Sequence, residues 1–164
     1  MDHLEIARRI AENRLFEDVA RAADSDPAIL QPFLQACHST ARVGGNSRRR
    51  AALCDDTKYR TFDTCRISGG GDDDLFLLCH RRFGLIAFSR SDVTGMRVGQ
   101  AEFCTPTAEA EYFAQSGDLT GLPLGYLLEP VTPTALADLS ASEQGDAAYW
   151  QPDRFAGIIF NHWD

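Results

Sequence analysis

A chain of 164 residues is long enough for one domain with a buried core, and 44% hydrophobic with 24% charged residues is a globular rather than a disordered composition. Its net charge of −8 argues against indiscriminate binding to phosphate backbones. No apolar run reaches the roughly 18–20 residues of a membrane span, and Met1-Asp2-His3-Leu4-Glu5 lacks the basic and apolar stretches of a secretion signal, so a cytoplasmic location is expected.

Leu4, Ala7, Ala11, Leu15, Val19 and Ala22 recur at steps of three and four and predict a first amphipathic helix. Asp26 as N-cap and Pro27 at the first position open a second helix, which carries Ile29, Leu30, Phe33, Leu34 and Cys37 to about His38. Pro32 is a source of a kink there. Residues 1–38 are thus expected to form a helical hairpin. Residues 39–57, with Gly44-Gly45-Asn46-Ser47, Arg48-Arg49-Arg50 and Asp55-Asp56, read as a loop.

Residues 58–164 read as sheet plus helices. Tyr59–Ile67, Leu75–His80, Leu85–Phe88 and Met96–Cys104 are short segments rich in β-branched or aromatic residues, separated by turn signals such as Gly69-Gly70-Gly71-Asp72-Asp73-Asp74. Leu75-Phe76-Leu77-Leu78 and Leu85-Ile86-Ala87-Phe88 lack polar alternation, which predicts strands covered on both faces. There follow a helix from Thr105-Pro106 to about Gln115, a loop over 117–123, a short strand Leu124–Leu128 and a short helix from Thr132-Pro133. The apolar end from Tyr149 to Trp163 is expected to dock on the body, because a loose tail would expose Ile, Phe and Trp together. The fold class is α+β in one domain: an N-terminal helical hairpin on a mostly antiparallel sheet of about four to six strands, with additional C-terminal helices.

No residue pattern announces catalysis. Cys37, Cys54, Cys65, Cys79 and Cys104 are odd in number and lack close pairs, which points to reduced thiols. Cys37-His38 and Cys79-His80 have no C-x2-C knuckle beside them, and neighbours on a strand point to opposite faces, so no metal or other cofactor is expected. Asp72-Asp73-Asp74 reads as an exposed turn. Glu109 and Glu111 stand two apart on a helix and share no face. A small enzyme using a Cys/His pair, with His3, His38, His80 or His162, is a formal alternative. So is a secretion chaperone or adaptor that holds an effector segment.

Charge is unevenly placed. Residues 1–50 balance at +1 and residues 51–100 at zero, whereas residues 101–164 hold ten acids against Arg154 alone, a balance of −9. Such a segment is either a solvated face or a docking surface for a basic partner. The second reading makes Glu102, Glu109, Glu111, Asp118 and Glu129 the electrostatic contacts, with Tyr112, Tyr126 or Trp150 as aromatic anchors.

The pattern Tyr149-Trp150-x-Pro152, then Gly157-Ile158-Ile159-Phe160-Asn161-x-Trp163-Asp164, resembles the ending of small bacterial immunity proteins of contact-dependent inhibition and related toxin systems. It covers about 16 residues and holds no catalytic motif. The resemblance implies a cognate basic toxin domain as partner, often a nuclease, bound without catalysis so that its active or substrate-binding surface is occluded. Immunity proteins share no single fold, so the resemblance implies no architecture, and no binding residue carries over from it.

Overall fold

The two runs without polar alternation lie at the centre of the sheet. The computed structural model describes residues 3–43, 49–54, 59–69, 74–94, 98–105, 113 and 119–163. Strands β1 (Arg50–Leu53), β2 (Phe62–Ser68), β3 (Leu75–His80), β4 (Leu85–Ser89) and β5 (Phe103–Cys104) pair antiparallel in chain order. The last strand, β6 (Thr120–Gly121), pairs parallel with Leu85 and Ile86, while β5 pairs with Phe88 and Ser89 on the same edge of β4. Every residue of β3 and β4 is buried, as their sequences predict. The protein is therefore α+β with a mostly antiparallel sheet.

Alternation along the strands sorts the core into two layers. Leu75, Leu77 and Cys79 join a cluster with Phe33, Ala36 and Cys37 of α2 (Pro27–Val43). Phe76 and Leu78 join the other cluster, with Ile6 of α1 (His3–Ala11), Leu15, Phe16, Val19 and the C-terminal Phe155, Ile158, Ile159 and Phe160. The two N-terminal helices consequently cover opposite faces of the sheet and are not the expected hairpin. Phe62 and Phe160 meet edge to face at 5.9 Å, tying β2 to the C-terminal segment.

The α1 stripe also differs from its expectation. Leu4 is 83% exposed and Ala7 and Ala11 face solvent, whereas Ile6 and Ile10 turn inward. The helix stops early because Asn13 takes a left-handed conformation (φ 51°). The Asn13 N–H bonds the Ile10 carbonyl at 3.2 Å and the Arg14 N–H bonds the Arg9 carbonyl at 2.9 Å, the paired closure of a Schellman motif. Leu15 and Val19 are then buried by irregular chain rather than by a continued helix. In α2, Asp26 Oδ1 accepts the Ala28 N–H at 2.9 Å, and the helix runs past Pro32 and His38 to Val43.

Part of the expected 39–57 loop is β1, an edge strand whose side chains are mostly exposed. Among the described residues of the expected strand Met96–Cys104, Phe103–Cys104 is strand and Val98–Gln100 is a 3-10 turn, η1. Leu124–Leu128 is not a strand. Leu124–Leu127 forms helix α3, closed by the Leu127 N–H to the Pro123 carbonyl and the Leu128 N–H to the Leu124 carbonyl. The turn η2 (Ala135–Asp138) and helices α4 (Ala141–Trp150) and α5 (Ala156–Ile159) complete the chain. Of the helix expected from Thr105 to Gln115, Thr105 and Phe113 are described: Thr105 is not helical, and Phe113 is helical and packs on Phe33 and Phe88.

Candidate binding surface

Helix α4 begins with a capping box: Ser140 Oγ accepts the Glu143 N–H at 3.3 Å and Glu143 Oε2 accepts the Ser140 N–H at 2.9 Å. It ends at Trp150, where Gln151 turns left-handed (φ 48°) and Pro152 prevents continuation. The Val131 N–H to the Asp153 carbonyl (3.1 Å) and the Phe155 N–H to the Glu129 carbonyl (3.0 Å) then pin residues 153–155 against 129–131. Beyond α5, the buried Asn161 donates through Nδ2 to the Ala20 and Ile158 carbonyls at 3.1 and 2.6 Å, and its Oδ1 accepts the Trp163 N–H at 3.3 Å.

These ties bring the chain end back beside the end of α4. Trp150, Pro152, Asp153 and Trp163, with Gln100 of η1, line a cleft of about 300 Å³. Both tryptophans of the chain are in it. Tyr149, 79% exposed, stands at 5.3 Å from Trp150 in a T-shaped pair. Trp163 also borders a wider hollow of about 610 Å³, lined by Glu17, Asp18, Glu143 and Asp146 with Arg21.

The acids of the C-terminal segment divide into engaged and outward-facing groups. Asp138 is bound by both Arg9 and Arg14, so part of the sequence asymmetry is settled inside the molecule between its first and last thirds. Glu143 is buried and accepts the Asp18, Ala20 and Ser140 N–H groups. Asp146, Asp153 and Glu102 are exposed, and Glu129 is half-buried. Among the described residues, Asp153 is paired loosely with Arg154, at 3.9 Å. Glu109, Glu111 and Asp118, and the aromatic Tyr112, lie outside the described residues. Tyr126 is corrected: it is 4% exposed, packs edge to face on Phe155, and its hydroxyl donates to the Arg14 carbonyl at 2.7 Å, which makes it a core residue.

Of the Cys/His candidates, His80, Cys37, Cys65 and Cys79 are buried, Cys54 and Cys104 are half-buried, and His3, His38 and His162 are exposed. His80 Nδ1 accepts the Arg82 and Phe83 N–H groups, so Nε2 carries the proton and donates to the Val19 carbonyl at 2.8 Å. Burial, with the Arg82 charge and against the Val19 hydrogen bond, pushes this imidazole down to about 4. Cys79 belongs to the cluster on the other side of the sheet and does not converge with it. Burial holds the Cys37 and Cys79 thiols well above the ordinary range, and the hydrogen bond from Cys37 lowers that of Cys65. Among the described residues, no cluster of His, Cys, Asp and Glu is placed to hold a metal ion, and no helix is long and apolar enough to cross a membrane.

The cleft was only partly legible in the sequence. Trp150 stands out as an aromatic anchor, but Asp146, Asp153 and Trp163 acquire a role only once α4 is recognised. Ser140-x-x-Glu143, the capping-box spacing, is the signal that would have placed that helix. Compared with family models, with curated proteins and with solved structures, the chain matches none.

Proposed function

We propose that the protein is a non-catalytic, cytoplasmic immunity protein that binds a cognate basic toxin domain, a nuclease by preference, and covers its active or substrate-binding surface. The observation that carries this reading is the grouping of exposed or half-exposed Tyr149, Trp150 and Trp163 with the Asp146 and Asp153 carboxylates around the end of α4 and Trp163. Aromatic side chains supply the anchoring area of protein interfaces, and carboxylates around them steer a basic surface into register. A nuclease displays Lys and Arg to hold phosphates, so an acidic partner competes with the substrate for the same groups. The C-terminal resemblance supports the same role.

Pull-down from the native strain, followed by co-expression with the basic domain recovered, tests the proposal. A stoichiometric complex in size-exclusion chromatography with light scattering, together with loss of the toxin's activity, is the expected result. A folded toxin domain that keeps full activity in the presence of excess protein overturns it.

A further inference from the structure

The cleft between Trp150 and Trp163 has a chemical preference of its own. Two indoles and Pro152 give it π-rich surface beside the polar Gln100, Gln151 and His162, and Asp153 is the carboxylate among its lining residues. Among the described residues lining it there is no Lys or Arg. Trp163 is further flanked, in the adjoining hollow, by Glu17, Asp18, Glu143 and Asp146 against Arg21. Glu143 and Asp18 are engaged, the first by backbone N–H groups and the second by Arg21 and Arg82, while Glu17 and Asp146 face outward. An indole face attracts a cation, and a neighbouring carboxylate adds to that attraction. Among the described residues, the guanidinium paired with Asp153 is that of Arg154, at 3.9 Å and half exposed, a pair loose enough to give way to a better-oriented partner.

We propose that this cleft is a receptor for a single cationic side chain, an arginine or lysine projected from the partner, seated against the indoles with its charge on Asp153. A volume of about 300 Å³ accommodates one such side chain and not a folded element. The inference rests on the immunity reading for the identity of the partner, but the chemistry of the cleft is testable without it.

Because the chain has two tryptophans and both line the cleft, intrinsic tryptophan fluorescence reports occupancy, and Asp153→Asn separates the cleft from the hollow that Trp163 also borders. The full-length protein is titrated with acetyl-Gly-Arg-Gly-amide, with the same peptide carrying neutral citrulline in place of arginine, and with the saccharide maltotriose. The arginine peptide should give a saturable change that weakens with salt, and the citrulline peptide should bind at least about fivefold more weakly, since it keeps the shape and loses the charge. Asp153→Asn, a surface substitution that leaves the fold intact, should weaken the arginine peptide by a similar factor and leave the citrulline peptide unchanged. Trp163→Leu should weaken it further, with the Trp150 signal and far-ultraviolet circular dichroism confirming the fold. Equal binding of the arginine and citrulline peptides, saturation by maltotriose alone, or no saturable change with any probe overturns the inference. Peptide binding by a protein that fails to inhibit the toxin sustains the cleft and defeats the immunity reading. Inhibition that survives in Asp153→Asn, with no arginine peptide bound by the parent protein, does the reverse.

Discussion

Glu143 Oε1 accepts the backbone N–H of Ala20 at 2.9 Å, across 123 residues of sequence. The same carboxylate accepts the Asp18 and Ser140 N–H groups, so one side chain caps α4 and anchors the irregular segment that follows α1. Buried N–H groups are costly to leave unpaired. Glu143→Ala is expected to lower stability by roughly 2–4 kcal/mol, more than the loss of an ordinary helix cap, because three donors lose their acceptor. Ser140→Ala, which removes the cap alone, should cost about 1 kcal/mol. Urea unfolding of the two variants checks the order; equal losses would mean that the contacts to Asp18 and Ala20 contribute nothing.

His80 gives stability a specific pH window. Its ordinary value is 6.5 and burial lowers it to about 4 in the folded protein. Above 6.5 the ring is neutral in both states and contributes no slope. As pH falls from 6.5 to about 4, the unfolded chain takes up a proton that the folded chain refuses, so stability declines across that window and levels off below it. The full loss is roughly 3 kcal/mol. Unfolding free energy followed from pH 7 to pH 4 should show this decline, and His80→Gln should flatten it. An unchanged slope in the variant would assign the acid sensitivity to the carboxylates.

The elements that were legible in the sequence are those whose side chains declare their burial. Leu75–His80 and Leu85–Phe88 read as strands covered on both faces, and the structure has them at the centre of the sheet. What the sequence hid depends on residues of neutral appearance. The buried face of α2 continues through Thr40 and Ala41, and Ala51 is the inward residue of β1; none of these marks a hydrophobic period. Helix α4 buries only Glu143 and Ala147, so its pattern reads as polar loop. At the candidate site, the −9 segment suggested one acidic face, whereas Asp138 and Glu143 turn inward to bind the N-terminal region. Sequence charge counts cannot distinguish an acid that seeks a partner from one whose partner is earlier in the same chain.

That distinction predicts how Asp138 behaves. Its side chain is 8% exposed and bound by Arg9 and Arg14, the second of them 44% exposed. Asp138→Ala should destabilise the protein by roughly 1–3 kcal/mol, with the contribution of the solvent-exposed Arg14 reduced by screening. Its difference from the parent protein should shrink as salt rises. Denaturation at low and high salt measures both. A surface acid such as Glu102, exposed and outward, should show no comparable loss when replaced by Ala.

Thiol chemistry should follow depth rather than sequence position. Cys37, Cys65 and Cys79 are buried, and burial keeps the first and last of them protonated. Cys54 and Cys104 are half-buried. Iodoacetamide on the native protein is therefore expected to modify Cys54 and Cys104 before the other three, as read by peptide mass spectrometry, because the thiolate is the reacting species and must be reached. Early labelling of Cys79 would place the β3 interior in contact with solvent.

Gln151 holds a left-handed conformation (φ 48°, ψ 55°) between Trp150 and Pro152, and its N–H closes α4 on the Ala147 carbonyl at 2.9 Å. A residue with a Cβ is strained there by about 1–2 kcal/mol, a cost glycine avoids. Gln151→Gly loses part of that gain to the greater freedom of glycine in the unfolded chain, which leaves an expected net stabilisation of about 0.5–1 kcal/mol. Gln151→Val, with a branched Cβ in the same conformation, should destabilise. Thermal unfolding of the pair separates backbone strain from side-chain contacts. If the glycine variant melts below the parent protein, the Gln151 side chain contributes more at the rim of the tryptophan cleft than its backbone costs.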